Sequence, residues 1–450
     1  MRKTALIFLI YLLFNPFLAA KAQGVLDEYI RQGLENNLVL KEKNIELERS
    51  LLALKDAKSF FLPSLDFGAS YTLASGGRTI GFPVGDLLNP VYSTLNQLTG
   101  TSAFPQLENV SEQLLPDNFY DARFRASMPI LNTDLIYQKQ IREKQVLLSE
   151  YELKIYRANL VQDIKLAYYN FCTAYTAIEV IRSSKGLVEQ NLRDNRSLLE
   201  NGKGLPSSVL RAESEVENIN ALMIEAESRK QNAVHYVNFL LNRPIDTELD
   251  FEEHLANPAE LAGLMGEDDL SGRPELLQIQ TAESIQETAI KASKSYWVPK
   301  FNTYADLGSQ SFDWAFDQDS RYALLGLNLS VPVFQGGRNR NQIYRNELGL
   351  QTVQTQKDLL SDKLELDLQL TKNEVKTNQA ALRSAEKKLE SSAAYFRLVD
   401  RGFREGANSL IEFIDARNQL TQASLQKTIN SYNLLKSMAQ LERQLATQTY

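Results

Sequence analysis

At 450 residues, with 43% hydrophobic and 23% charged residues and a mean hydropathy of −0.31, the chain is long enough for more than one domain and too polar for a bundle of membrane helices. Its net charge of −7, with no long basic block, argues against nucleic-acid binding. A single cysteine, Cys172, excludes an intrachain disulfide, and two histidines, His235 and His254, with no cysteine cluster beside them argue against a zinc or copper site.

Residues 1–22 read as a secretory signal. Arg2 and Lys3 form the charged start, 5–18 is apolar apart from Asn15 and Pro16, and Ala20-Lys21-Ala22 fits a small-x-small cleavage site, which makes Gln23 the expected mature N-terminus. The apolar run is too short and too interrupted to span a bilayer, and no stretch after residue 22 reads as a transmembrane helix. If such a chain spans a membrane, it does so with strands.

A helix is expected over 25–58. The run 64–73 then alternates, with Leu65, Phe67, Ala69, Tyr71 and Leu73 on one face and Asp66, Ser70 and Thr72 among those on the other. Residues 120–130 alternate as well, with Tyr120, Ala122, Phe124, Ala126, Met128 and Ile130 against Asp121, Arg123, Arg125 and Ser127. The stretch 74–118 between them, rich in Gly, Pro, Asn, Ser and Thr, reads as a long outer loop.

A long helix is predicted over 134–200, where Val146, Leu153, Leu160, Ala167, Ala174, Ile181 and Val188 recur every seventh residue beside a second row containing Ile164, Phe171 and Ile178. It ends at a turn through Gly202. Pro206 suits an early position in a return helix over 206–242. A polar connection, 243–272, is placed at the equator, outside the bundle.

The pattern then repeats. A helix is expected over 273–297, strands over 301–308 and 322–333, a long helix over 339–404 and a return helix over 409–446. Lys58-Ser59-Phe60-Phe61-Leu62-Pro63 returns as Lys294-Ser295-Tyr296-Trp297-Val298-Pro299, and Met128-Pro129-Ile130-Leu131 as Val331-Pro332-Val333-Phe334. The row Leu368, Val375, Leu382, Leu389, Phe396 and Phe403 keeps the heptad register of the Ile164 row. The chain therefore reads as an internal duplication, 23–242 and 273–450. Each long helix is roughly 100 Å at 1.5 Å per residue, far longer than a bilayer is thick.

Strands of about ten residues with one apolar and one polar face suit a lipid-facing wall around a wet lumen, and aromatic residues (Phe60, Phe61, Phe119, Tyr120, Tyr296, Trp297, Tyr322) cluster near the strand ends. Four strands cannot close around water, so several copies must share one barrel. Two copies would leave a bore filled by side chains, which favours three or more.

Leu241-Asn242-Arg243-Pro244, Gly272-Arg273-Pro274-Glu275-Leu276, Val331-Pro332-Val333-Phe334-Gln335-Gly336-Gly337-Arg338 and the turn from Arg404 through Asn408-Ser409-Leu410-Ile411-Glu412-Phe413-Ile414-Asp415-Ala416 resemble the TolC family of outer-membrane efflux proteins. The resemblance covers nearly the whole exported chain. It implies a mixed α/β membrane protein that forms a TolC-like trimer. Four β-strands per chain would share a 12-stranded outer-membrane barrel, continued by a long periplasmic coiled-coil α-helical barrel. It also implies an exit duct for efflux or secretion, without covalent chemistry or a cofactor, working with a periplasmic adaptor and an inner-membrane transporter.

By motif match, Glu412 and Asp415 would ring the periplasmic entrance. Three apart on a helix, they would give two stacked acidic rings in a trimer, attracting cations. Phe403 stands where the family often has tyrosine and Asn408 where it often has arginine, so the closing links there differ, and Ser207 and Ser208 leave the first tip without an acidic partner. Gly202, Gly204 and Leu205, with Gly406, Ser409 and Leu410, are the expected adaptor-docking tips. Gly336-Gly337 matches no phosphate-loop spacing. The alternative reading is a structural coiled-coil envelope protein anchored by a small barrel. An enzyme is not expected, since no catalytic constellation is visible.

Overall fold

The computed structural model describes residues 24–447, so the expected signal at 1–22 and Gln23 lie outside the described residues. The chain divides into two compact units. A helical unit takes the chain up to Leu51, Lys144–Ser284 and the part from Gly349 onward. A sheet unit takes Leu52–Glu143 and Ile285–Leu348. Each unit therefore draws on both halves of the sequence.

The first expected helix is two: α1 (Val25–Asn36) and α2 (Leu38–Ser59), broken at Asn37. The break is stabilised locally. Asn37 Oδ1 accepts the Val39 and Leu40 N–H groups at 3.0 and 3.1 Å, while its Nδ2 donates to the Leu240 carbonyl at 3.0 Å. The Asn37 side chain thus caps the second helix while anchoring the first.

Next come β1 (Ser64–Thr72), β2 (Thr79–Phe82), α3 (Val84–Thr99), β3 (Val110–Gln113) and β4 (Phe119–Leu131). The stretch expected to be plain loop thus holds a helix between two paired strands. Asn89 and Asn96 strap the following chain onto α3 by reciprocal bonds to the backbone of Leu107 and Phe104, at 2.7–3.0 Å. Side-chain amides mimic a strand partner there, so residues that read as loop formers build a folded insert.

The 68-residue α4 (Thr133–Glu200) is followed by α5 (Pro206–Leu240), α6 (Pro258–Gly266) and α7 (Pro274–Lys294). Then come β5 (Lys300–Phe312), β6 (Arg321–Ser330), the 67-residue α8 (Arg338–Arg404) and α9 (Leu410–Leu445). The connection 243–272 carries the short helix α6, which the sequence reading did not separate. No helix of the described residues is long and apolar enough to cross a membrane.

In the helical unit every member of the Val146-to-Val188 heptad row is buried. Tyr168, Phe171, Ile164 and Cys172 form its centre. Burial pushes the Cys172 thiol up to about 12, so it stays protonated. The Tyr168 hydroxyl donates to the Asp250 carbonyl and accepts the Glu252 N–H, both at 3.1 Å, and the Tyr29 hydroxyl accepts the Asp250 N–H at 2.9 Å. Two buried phenols therefore fasten the connection after α5 to the bundle.

The sheet unit is built on one antiparallel sheet in the order β1-β4-β5-β6, and β2 and β3 form a separate ribbon. The register places like with like: Phe67 lies opposite Phe124, Phe124 opposite Leu307, and Leu307 opposite Ala323. One face is thus apolar across all four strands. Pro129 forces a bulge between Pro129 and Leu131, since it has no N–H to give the ladder. β6 ends at Ser330, ahead of Pro332.

Candidate functional site

Two places bring the chemistry-bearing residues together. The first lies in the helical unit, at the hairpin tips. Each long helix ends in a glycine with positive φ, Gly202 at 70° and Gly406 at 78°. Lys203 N–H reaches the Leu198 carbonyl at 2.8 Å, and Ala407 N–H reaches that of Gly402 at 2.7 Å. Together with the Gly202-to-Leu199 and Gly406-to-Phe403 bonds these are two Schellman endings, which satisfy the last carbonyls and reverse the chain. Gly204 is required for space, because a Cβ there would lie 2.7 Å from the Leu199 nitrogen.

Ser409 caps α9 in a capping box with Glu412. Glu412 N–H donates to Ser409 Oγ at 3.2 Å, and Ser409 N–H donates to Glu412 Oε2 at 2.7 Å. The Asn408 amide also donates to that oxygen, at 3.3 Å. The Ser409 N–H first, then the Asn408 amide and the Ser409 hydroxyl, hold the Glu412 carboxyl below its usual value. Asp415 is exposed one turn further on and accepts from Gln419 Nε2 at 2.7 Å. Glu412 is therefore occupied in the cap, while Asp415 is the freer anion. Phe403 packs on Phe413, with ring centroids 4.9 Å apart, inside a small core with Phe396, Val399 and Ile414.

A groove of about 710 Å³ runs between the tips, lined by Leu205, Ser207, Ser208, Arg211, Leu410, Ile411 and Asp415 among others. Of the expected docking residues, Leu205, Ser409 and Leu410 line this groove, while Gly202, Gly204 and Gly406 shape the turns beside it. The sequence reading missed what lies behind it. Arg417 Nη2 donates to Glu215 Oε2 at 2.8 Å, both side chains are buried, and Arg211 lies 3.1 Å from the other Glu215 oxygen. The signal was present. Glu215 falls in the seam row of α5, with Ala212, Ile219 and Ala226, where an acid needs a buried partner.

The second place is the polar face of the sheet. Arg125 forks onto Asp306 at 2.6 and 2.7 Å and lies 4.9 Å from the centre of the Tyr304 ring. Arg123 pairs with Asp121 at 2.5 Å, and Asp121 also accepts from the Tyr322 hydroxyl at 2.9 Å. On the other face, at the β5–β6 loop end, Tyr71 and Tyr120 pack against Trp314 with centroids 4.7 and 5.6 Å apart. Among the described residues β1 pairs only with β4 and β6 only with β5, so both outer edges of the sheet are open. No group of His, Cys, Asp and Glu among the described residues is placed to hold a metal ion.

Residues 267–447 match the family described as outer membrane efflux protein. The chain is 22% identical to a probable efflux pump outer membrane protein, SepC, of Pseudomonas putida, over 94% of this chain and 83% of that one. It is 17% identical to the outer membrane protein TolC of Escherichia coli over 95% of this chain and 83% of that one. Its fold is similar to that of the MtrE outer membrane channel of Neisseria gonorrhoeae, with a TM-score of 0.73, 17% identity, and coverage of 94% and 91%. The fold, the paired tips and the two-faced sheet agree with these likenesses, and over nearly its whole described length the chain is similar to TolC-like outer membrane efflux proteins.

Proposed function

We propose that three copies of this chain assemble into a passive exit duct of the outer membrane, continued by a helical tunnel in the periplasm. The observation that carries the proposal is the sheet. It has one apolar face, one polar and charged face, and two open edges. Unpaired edge groups are not tolerated in hydrocarbon, so the edges must meet those of other copies. The strands alternate in direction across β1-β4-β5-β6, so β6 of one copy can pair antiparallel with β1 of the next. Three copies give 12 strands, enough to leave a channel, whereas eight would be filled by side chains.

The long heptad helices supply the tunnel wall, and the tips supply its entrance. Asp415 is exposed there beside Glu412, which favours cations at a narrow mouth. The groove between the tips, with Leu205, Leu410 and Ile411 at its surface, suits the apolar end of a helical hairpin from a periplasmic adaptor, which would link the duct to an inner-membrane transporter. The chain carries cargo and performs no covalent chemistry. Single-channel conductance in a planar bilayer under a salt gradient tests this. The expected result is a small cation-selective conductance that grows and loses selectivity in Glu412→Ala/Asp415→Ala. Absence of conductance in both proteins, once insertion as an oligomer is verified, would overturn the duct.

A further inference from the structure

The polar face of the sheet is paved rather than merely lined. Tyr304 and Gly326 are direct cross-strand partners on β5 and β6, and Gly308 and Tyr322 are the same pair reversed, four residues along. Both pairs lie on the face that carries Asp306 and Arg125. Each tyrosine lies flat over its glycine. A Cβ at Gly326 would fall within 2.5 Å of the Tyr304 hydroxyl and Cε1, and one at Gly308 would lie 3.0 Å from Tyr322 Cε1 and 2.8 Å from both Arg123 Cβ and the Ala122 carbonyl. Glycine in a strand weakens it, and an aromatic laid across it from the partner strand recovers the lost packing.

The flat rings are then fixed. Arg125 stacks on Tyr304 while its fork is held by Asp306, and the Tyr322 hydroxyl is held by Asp121, which also holds Arg123. Side chains that would project from an ordinary strand are pressed against the wall, and Asp121, Arg123, Arg125 and Asp306 are all paired there.

We infer that the two tyrosine–glycine pairs set the bore of the barrel, and so the largest cargo that can leave it. This rests on the duct reading, in which this face is the lumen. Any residue larger than glycine at 326 lifts Tyr304, and Arg125 with it, into the passage. The belt is a size limit built from backbone space, independent of the tips.

The test places a cysteine beyond the belt. Asn328→Cys lies on the same face of β6, on the far side of the Tyr304–Gly326 pair from the β5–β6 loop. Impermeant maleimides of graded polymer length are added outside intact cells. Cys172 is buried and protonated, so it stays silent. In the otherwise unaltered chain, reagents up to a definite size label position 328. Adding Gly326→Val is expected to abolish labelling by the larger reagents and keep the smallest. Adding Tyr304→Ala to that restores the larger ones, and Tyr304→Ala alone, which cannot clash, raises the limit. An unchanged limit in Gly326→Val and in Tyr304→Ala overturns the inference and leaves the duct standing. Failure of the smallest maleimide to reach position 328 in the otherwise unaltered chain overturns both.

Discussion

Glu275 is held by two arginines from opposite ends of the second half of the chain. Arg273 donates to it from Nε and Nη2 at 3.1 and 3.0 Å, and Arg443 donates from Nη2. Burial pushes the carboxyl up, but the arginines outweigh it and hold Glu275 at about 2. Unfolded glutamate takes up its proton below about pH 4.5, so the folded chain gains from this carboxylate above that pH and loses the gain as pH falls to about 2. The shift corresponds to about 3 kcal/mol per chain. Thermal unfolding of the solubilised protein across that window should show the loss, and Glu275→Gln should flatten it. A wild-type curve as flat as the variant's would remove the role. The sequence shows Arg273 and Glu275 as neighbours, but the pairing with Arg443 is set only by tertiary packing. The Glu412 cap was legible, since Ser409-x-x-Glu412 is the capping-box pattern just before an apolar run.

At the scale of the element, periodicity decides what can be read. The seven-residue rows persist through α4 because supercoiled helices must keep one seam facing their partners, and that constraint is written into every turn. The break at Asn37 has no such signature, as helix-forming residues continue on both sides and a single side chain does the work. Asn37 Oδ1 caps two N–H groups and also accepts the Tyr156 hydroxyl at 2.9 Å. Asn37→Ala removes the cap and leaves the Tyr156 hydroxyl and the Leu240 carbonyl without their partner. The expected cost is about 2–4 kcal/mol, from roughly 1 for a cap and 1–3 for a buried polar group left unpaired. Tyr156→Phe removes one bond and should cost less. Chemical denaturation ranks them, and equal losses would show that the cap is not what holds the break. The insert between β1 and β4 was illegible for a related reason. Its helix is held by asparagine-to-backbone bonds, so the residues that hold it are those that ordinarily mark a loop.

For the molecule as a whole, the question is which solvent each face of the sheet meets. The number of copies is not written in any one chain, whose main sheet, among the described residues, has four strands and two open edges. The facing is written in the alternation, and adjacent residues of β6 test it. Leu325 is 81% exposed on the apolar face, cross-strand from Ala305, and Leu324 is 47% exposed on the polar face, cross-strand from Asp306. In water so broad an apolar face would drive aggregation, whereas in lipid it is the condition for insertion. An arginine at the lipid midplane costs about 2–4 kcal/mol, and in a shared barrel every copy pays it. Leu325→Arg should therefore reduce severely the amount of heat-modifiable oligomer in the outer-membrane fraction. Leu324→Arg places the same charge beside Asp306 in a wet lumen and should leave assembly near the wild-type level. Equal assembly of the two variants would mean that the faces do not meet different solvents, and the reverse order would turn the sheet inside out.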